Sequence, residues 1–244
     1  MEAHMLKDRI IFVSGGTGYL GEAVCRACAG YGARVFFSYC RNGDKAAVLE
    51  RELPGSRAIR LDIRDLALID ETADALHREI EAVDVLVNTA GVSQVMPFAL
   101  LEADDLDLLL DVNVRGTVFL TKALVRRMIH RRRGVVINVG SLAGHRMLDV
   151  PVHYALSKAA IAGFGTALAA ELKRYGIRVN TVSPGLLEDG VAQGVPEPLL
   201  ADYLNHCAAG RPGKAAEVAE LICFLASDKG SYINGQNLFI DGGI

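Results

Sequence analysis

Short runs of β-branched and aromatic residues alternate along the chain with longer segments of helical periodicity. Runs that are apolar at successive positions are typical of strands buried on both faces, and their alternation with helices indicates a parallel sheet. We therefore predict a single-domain α/β fold, a doubly wound parallel sheet with helices on both faces. About seven strands are expected, at residues 10–13, 33–39, 58–63, 83–88, 134–140, 177–183 and 237–241.

A glycine-rich turn, residues 14–18 (SGGTG), joins the first strand to a helix that contains Gly21 and runs to about Tyr31. With the next strand it makes a unit of about thirty residues, the size of a βαβ unit. Glycines let the backbone approach a pyrophosphate, and the helix N-terminus directs its dipole at the phosphates. The flanking strand and helix give the turn the context of a Rossmann-type dinucleotide site.

Tyr154 and Lys158 stand one helical turn apart, and Ser141 precedes Tyr154 by thirteen residues. On a helix this spacing places the phenol and the ammonium on the same face. A free tyrosine has a pKa near ~10, and we expect the adjacent cation to lower the pKa of Tyr154 toward neutrality. A hydroxyl from a strand end could hold a carbonyl oxygen against the phenol. Ser141, Tyr154 and Lys158 together predict proton transfer to a carbonyl oxygen, or from an alcohol, that accompanies hydride transfer.

Length and composition fit one domain covering residues 1–244, of which 51% are hydrophobic, with a net charge of −3. No apolar run is expected to span a membrane and no leader pattern opens the chain, so we expect a cytoplasmic protein. Residues 1–5 are interpreted as a disordered start or a cloning scar. The five cysteines are scattered, with Cys25 and Cys28 inside the first helix, so neither a disulfide framework nor a metal site is expected.

The chain resembles the short-chain dehydrogenase/reductase family from about Lys7 to its C-terminus, with the family's markers in order. The matching positions are the cofactor loop at 14–21, Asp62 for the adenine, the N-x-A-G strand end at 88–91, the nicotinamide loop at 183–185, and the catalytic tetrad Asn113, Ser141, Tyr154 and Lys158.

The resemblance implies a nicotinamide-dependent oxidoreductase acting on CH–OH or C=O groups. Ser141 and Tyr154 would bind the substrate oxygen, Lys158 would hold the nicotinamide ribose, and Asn113 would anchor a water that leads to solvent. The cofactor-binding residues implied are Ser14, Gly15, Thr17, Gly18, Tyr19, Leu20, Gly21, Arg41, Asp62, Ile63, Asn88, Ala90, Gly91, Tyr154, Lys158, Pro184, Gly185 and Leu187.

Two positions depart from the family pattern. Tyr19 replaces the middle glycine of the cofactor loop, which fits T-G-x-x-G-x-x-G with Ser14 in place of threonine. Asp189 stands where many relatives carry a threonine that bonds the nicotinamide carboxamide. Neither departure removes a catalytic group.

The end of the second strand decides between the two nicotinamide cofactors. A carboxylate there would bond the ribose 2′-hydroxyl, but this chain has Tyr39, followed by Cys40 and Arg41. Arg41 would supply charge-assisted bonds to a 2′-phosphate, so NADP(H) is favoured over NAD(H). The alternative is that Arg41 is an ordinary solvated loop residue, and Asp44 lies nearby.

The substrate pocket is expected between residues 142–153 and a lid at 186–209. Ser141, Met147, Tyr154 and Val191 are the substrate residues, with an apolar slot between them. The C-terminal pattern at 210–243 most resembles β-ketoacyl-acyl-carrier-protein reductases and polyketide-pathway ketoreductases. That resemblance implies reduction of a β-ketoacyl thioester on acyl-carrier protein or CoA, and His145 and His153 are interpreted as loop or cap residues.

A basic cluster, residues 126–133, is either a docking surface for an acidic carrier protein or a solvated helix end. The family resemblance also implies a homotetramer, and no nucleic acid or membrane partner is expected. Two other interpretations stay open. The same tetrad serves dehydrogenases of sugars, steroids and diols, and a silent subunit would bind nucleotide without turnover.

Overall fold

A computed structural model describes residues 4–189, 195 and 197–244 of the chain. Seven parallel strands form one sheet in the order β3-β2-β1-β4-β5-β6-β7. The predicted doubly wound α/β sheet is confirmed, and each predicted strand is present. The strands are β1 Ile10–Ser14, β2 Arg34–Tyr39, β3 Arg57–Arg60, β4 Val85–Asn88, β5 Gly134–Val139, β6 Ile177–Pro184 and β7 Asn237–Ile240.

Helices cover both faces of the sheet. The first three are α1 Tyr19–Gly30, α2 Gly43–Glu52 and α3 Leu66–Glu79, and the next three are α4 Ala103–Leu110, α5 Thr117–Arg131 and α6 Val152–Leu172. Two more, α7 Glu197–His206 and α8 Ala215–Ala226, lie between β6 and β7 in the sequence. One core forms where α1, α2 and α8 pack on the sheet, and a second forms under α3, α5 and α6.

The central strands are apolar at successive positions because both of their faces are buried. In β1, Phe12 packs into the core under α3 and α5, and its neighbour Val13 packs into the core under α1 and α8. Both side chains are fully buried. Each such side chain contributes roughly 1.5–3 kcal/mol on burial, which is why a continuous apolar run marks these strands.

Polar side chains replace apolar ones where β1, β4, β5 and β6 approach their carboxyl ends. Ser14 pairs in register with Asn88, Asn88 with Asn138, and Asn138 with Thr181. The Asn88 amide donates to Asn138 Oδ1 and to Thr121 Oγ1, both at 2.9 Å. This buried polar row marks the boundary between the apolar core and the carboxyl edge of the sheet.

One segment departs from the expectation that no apolar run could span a membrane. Helix α6 and its 3-10 extension, Val152–Tyr175, are long and apolar enough by length and composition alone. Its inner side, which includes Ser157, Lys158 and Ile161, is buried, and the helix packs along β6. A core helix of a sheet protein meets the same criterion, so this length carries no separate argument for a membrane.

Met5, in the stretch interpreted as a disordered start or cloning scar, packs against the core at α1. Cys25 and Cys28 are buried and form no disulfide. Cys28 faces Cys223 of α8, with 3.7 Å between the sulfur atoms. Burial raises the pKa of Cys25, as expected for a small core residue.

Candidate active site

The glycine turn after β1 brings α1 up against the carboxyl edge of the sheet. Gly15 has φ +70°, and a Cβ there would lie 2.8 Å from Ala90 Cα. At Gly21 a Cβ would collide with the carbonyl oxygen of Gly15. Both glycines are therefore required by close approach. Gly18 is the N-cap of α1 and offers no side-chain bond to the first turn, which leaves backbone N–H groups for an anion.

Tyr19 is the first residue of α1, half-buried, with Leu20 behind it in the same turn. A helical residue at this position needs no left-handed backbone, and Gly18 before it has φ −72°. The departure from the family's middle glycine is thus compatible with the turn. Thr17, which precedes Gly18, is also half-buried in this turn.

Two residues expected to contact the cofactor turn their side chains into the sheet. Ser14 is buried, and its Oγ accepts the N–H groups of Thr89 and Ala90, each at 3.1 Å. Asn88 is buried in the polar row. Both side chains join neighbouring strands, so any contact of theirs with a nucleotide would be through the backbone.

Gly91 lies directly behind the catalytic cluster. A Cβ at this position would lie 3.2 Å from Asn113 Oδ1 and 3.7 Å from Lys158 Nζ. The end of β4 and the residues of two helices therefore meet at one point. A side chain at position 91 would therefore crowd Asn113.

Tyr154, Ser141 and Lys158 come together at the carboxyl end of β5. Ser141 follows β5, and its side chain hydrogen-bonds the phenol of Tyr154 in the first turn of α6. The Lys158 ammonium lies 5.7 Å from the centre of the Tyr154 ring and donates to the carbonyl oxygen of Val139 at 3.0 Å. The structure thus brings together the three groups that the sequence placed on one face of a helix and one strand end.

Asn113 lies in a π-helical turn, Asp111–Gly116, inserted between α4 and α5. It is buried, and its Oδ1 accepts the N–H of Val92 at 2.8 Å. Its amide nitrogen donates to the Val92 carbonyl at 2.9 Å and to Ser157 Oγ at 3.1 Å. These bonds hold the β4–α4 loop against α6. The water-anchoring role of Asn113 stays a prediction, and its Oδ1 has a second lone pair that a water could use.

Burial determines the ionisation of the two central groups. Burial raises the pKa of Tyr154, and the hydrogen bond from Ser141 acts in the opposite direction. Burial also lowers the pKa of Lys158 to about 8. The expectation that the pKa of Tyr154 falls toward neutrality differs from the structure of the chain by itself, in which burial raises that pKa.

The ends of β2 and β3 carry two arginines, of which the sequence analysis identified one. Arg41 is exposed, which fits either a ribose-phosphate contact or an ordinary solvated loop residue, so its contact with the cofactor stays a prediction. Arg64, which was missed, donates to both carboxylate oxygens of Asp62, at 2.6 Å from its Nη2 and 3.0 Å from its Nε. Its guanidinium holds the pKa of Asp62 below the ordinary value, and Arg41 acts in the same direction. Ile63 is buried and packs under Gly116.

The loop after β6 is fixed by bonds from three other segments. Pro184 ends β6, and the N–H of Gly185 donates to Ile240 at 3.0 Å. Leu187 bridges to Gly213 and packs against the core at α1 and α8. A further contact, which the sequence does not predict, is the hydrogen bond that the Leu186 N–H donates to the phenol oxygen of Tyr203 in α7.

The expected substrate residues are only partly described. Met147 is fully exposed in the loop between β5 and α6. Val191 lies outside the described residues, so its role stays a prediction. His145 packs edge-on against Phe239 of β7, with ring centres 5.5 Å apart. His153 is buried, and its Nε2 has no hydrogen-bond partner within the described part of the chain.

The basic cluster lies at the opposite edge of the sheet from Ser141 and Tyr154, because α5 ends where β5 begins. Arg131 is half-buried and pairs with Asp84 at 2.9 Å. Arg132 donates to the carbonyl of Arg174 at 2.6 Å and stacks on Tyr175. Arg126, Arg127 and Arg133 are exposed.

Comparisons with known proteins agree with this geometry. A family model described as Enoyl-(Acyl carrier protein) reductase matches residues 18–244. The 3-oxoacyl-(acyl-carrier-protein) reductase FabG of Thermotoga maritima is 34% identical over 242 residues, and that of Escherichia coli is 30% identical over 238 residues; each alignment covers 98% of both chains. A solved structure of a short-chain dehydrogenase/reductase variant from Serratia marcescens superimposes with a TM-score of 0.91 at 31% identity, covering 98% of this chain and 99% of that one.

Proposed function

Because the chain belongs to the short-chain dehydrogenase/reductase family and is an NAD(P)-dependent oxidoreductase, we propose that it reduces a 3-oxoacyl thioester to the 3-hydroxyacyl thioester with NADPH. The observation that carries this proposal is the meeting of Ser141, Tyr154 and Lys158 beside Gly91 at the carboxyl edge of the sheet. The acyl group would be carried by acyl-carrier protein or CoA. A cytoplasmic homotetramer, working in fatty-acid or polyketide biosynthesis, is part of the same proposal.

The residues present fit a nicotinamide dinucleotide. The close approaches at Gly15 and Gly21 bring α1 near the strand ends, and its first turn has backbone donors for a pyrophosphate. Beyond the loop, Lys158 is a buried cation that donates to the carbonyl oxygen of Val139, and an ammonium has further donors for ribose hydroxyls. The cofactor, when bound, supplies the hydride.

Ser141 and Tyr154 together provide two hydroxyl donors for a substrate carbonyl oxygen. The charge that develops on this oxygen during reduction would be stabilised by both donors. Tyr154, which the raised pKa keeps protonated at neutral pH, would then deliver its proton to the oxygen. The Lys158 ammonium stabilises the phenolate left behind, and Asn113 keeps α6 and the β4–α4 loop in place while this happens.

The cofactor is proposed to be NADP(H) because two arginines lie at the strand ends where the adenosine ribose would bind. Arg41 is exposed, and Arg64 is already held in place by Asp62. Two guanidinium groups favour a 2′-phosphate over a ribose hydroxyl. NAD(H) is the less favoured cofactor, since Tyr39 occupies the position of the carboxylate that would select it.

The proposed substrate follows from the names of the two reductases that match over nearly the whole chain. Dehydrogenation of another alcohol, such as a sugar, steroid or diol, remains the alternative that uses the same groups. A silent nucleotide-binding subunit is the other alternative. All four members of the tetrad are present in this chain, which favours an active enzyme.

NADPH oxidation with acetoacetyl-CoA tests the proposal, with NADH and crotonyl-CoA in parallel and Tyr154→Phe as the background. Turnover of acetoacetyl-CoA by wild type alone, with preference for NADPH, is expected. If only crotonyl-CoA is turned over, the proposed 3-oxoacyl reduction is wrong, and the activity is the enoyl reduction for which the matching family is named. Tight NADPH binding without turnover of either thioester would overturn the substrate class and favour another carbonyl compound. If neither nucleotide binds, the proposal that the chain is an active reductase would be overturned.

A carrier-bound substrate adds a second test, since the basic cluster could dock an acidic carrier. The double variant Arg132→Glu/Arg133→Glu is compared with Arg51→Glu, an exposed arginine on α2. Docking at the cluster would raise KM for acyl-carrier-protein substrate and leave KM for acetoacetyl-CoA unchanged. Equal effects on the two substrates would remove this surface from the proposal.

A further inference from the structure

The backbone N–H groups after β6 are bonded to three different parts of the chain. Gly185 donates to Ile240 at the end of β7, at 3.0 Å, and Glu188 donates to Gly213 at 2.9 Å. Leu186 donates to the phenol oxygen of Tyr203 at 3.0 Å. Of these three bonds, the one from Leu186 alone goes to a side chain, and that side chain belongs to α7.

Helix α7 is otherwise loosely attached. None of its residues is buried, and Tyr203 is half-buried. Just beyond the helix, Cys207 is buried, and Ala209 donates to the carbonyl of Gly242 at 2.9 Å. The C-terminal end of α7 is thus anchored to the tail of the chain, and Tyr203, one turn before that anchor, ties the body of the helix to the loop after β6.

The phenol of Tyr203 also packs directly on Gly185. A Cβ at Gly185 would lie 2.5 Å from the Tyr203 hydroxyl oxygen and 2.9 Å from Asp241 Cα. The glycine therefore leaves the space that the phenol occupies. Burial raises the pKa of Tyr203, so the group is a neutral hydroxyl at physiological pH, and its oxygen accepts the Leu186 N–H.

We propose that Tyr203 is a positioning residue that links α7 to the Gly185–Leu186 backbone, so that the nicotinamide loop and the helix at the substrate side are ordered together. The inference rests on the proposed function in two respects, that Pro184, Gly185 and Leu187 contact the cofactor and that α7 lies at the substrate side. Nucleotide binding that holds this loop then also holds α7, and a substrate that displaces α7 disturbs the loop. The coupling is one hydrogen bond and one ring packed on a glycine.

Tyr203→Phe keeps the ring and removes the acceptor, and Tyr232→Phe is its matched control, because Tyr232 is fully exposed. In Tyr203→Phe we expect hydrogen exchange at Leu186 to rise about five- to tenfold, the effect of losing one hydrogen bond. The dissociation constant for NADPH should rise by a similar factor, and KM for the thioester should rise while kcat changes less. Tyr232→Phe should match wild type in all of these.

Exchange of residues 185–188 at the wild-type rate in Tyr203→Phe would overturn the proposal, as would equal changes in Tyr232→Phe. Exchange and NADPH binding need no turnover, so the proposal is decided even if acetoacetyl-CoA is not a substrate. If Tyr203→Phe does not fold, hydrogen exchange of the wild-type protein with and without NADPH tests the proposal instead. Protection of residues 185–188 and of α7 should rise together on binding, and protection of one segment without the other would contradict the link.

Discussion

The ammonium nitrogen of Lys158 donates to the carbonyl oxygen of Val139 at 3.0 Å and lies 5.7 Å from the centre of the Tyr154 ring. The cation is therefore anchored by the last residue of β5, behind the phenol. In this buried position its pKa falls to about 8, so the charge on Lys158 changes within an accessible pH range.

Lys158 should make the stability of the protein rise with pH above about 8. Between the folded pKa and the unfolded value of ~10.4, the unfolded chain binds the proton that the folded chain has released, so stability increases with pH. The full effect is up to about 3 kcal/mol relative to a variant without the amine. Urea unfolding of wild type and Lys158→Met at several pH values from 7 to about 10 measures it.

The difference between the two proteins isolates this lysine because other ionisable groups cancel. Above pH 10 the raised pKa of Tyr154 acts in the opposite direction, which limits the useful window to lower pH. A constant difference between wild type and Lys158→Met across the window would show that the lysine is not desolvated in the folded state.

Removing the Tyr154 hydroxyl should abolish turnover without abolishing nucleotide binding. General acid catalysis is worth roughly 10²- to 10⁴-fold, so kcat of Tyr154→Phe should fall by at least the lower figure. The dissociation constant for NADPH should change by less than about threefold, since one hydrogen bond at most is involved. Steady-state kinetics and a binding titration measure the two quantities, and a variant that retained most of its kcat would remove Tyr154 from the role of acid.

Arg64 and Arg41 should each contribute to the preference for NADPH over NADH. Charge-assisted hydrogen bonds contribute about 1.5–3 kcal/mol, so Arg41→Ala and Arg64→Ala should each raise KM for NADPH by roughly 10- to 100-fold. KM for NADH should change little. Arg60→Ala is the control, because Arg60 is exposed at the end of β3. A change in KM of equal size for both cofactors would assign Arg64 to the support of Asp62 instead.

Two glycines of α1 should respond oppositely to alanine. At Gly21 a Cβ would collide with the Gly15 carbonyl, so Gly21→Ala should cost about 1–3 kcal/mol and weaken nucleotide binding. At Gly30 nothing lies within 4 Å of the added Cβ, so Gly30→Ala should be neutral or stabilise by up to about 1 kcal/mol. Urea unfolding of both variants compares them, and equal destabilisation would show that the close packing at Gly21 does not matter.

The strands could be predicted from the sequence because burial on both faces leaves a simple mark. Phe12 and Val13 point to opposite cores, and both positions must be apolar. Tyr154 and Lys158 could be placed together because they share one helix, whereas Asn113 was identified from the family resemblance. Arg64 and Tyr203 were missed, because their partners, Asp62 and Leu186, are reached across loops whose geometry leaves no periodic signal.

Side-chain direction and burial do not follow from spacing along the chain. The positions of Ser14 and Asn88 in the chain predict contact with the cofactor; their side chains turn inward to join neighbouring strands, and the contact stays a prediction. The pKa of Tyr154 was expected to fall, because sequence spacing shows the neighbouring charge and not the extent of burial. What a side chain contacts depends on the direction in which it points, and its pKa depends on how far it is buried. Spacing along the sequence shows neither.

The π-helical turn Asp111–Gly116 makes fold stability and site assembly compete. Helices α4 and α5 are joined through this turn by helical backbone. Deletion of one residue would convert the π-helical turn to regular α-helix and stabilise the helix. The same loss would rotate Asn113 away from Val92 and Ser157. Deleting one residue here would therefore exchange the contacts of Asn113 for a more regular helix.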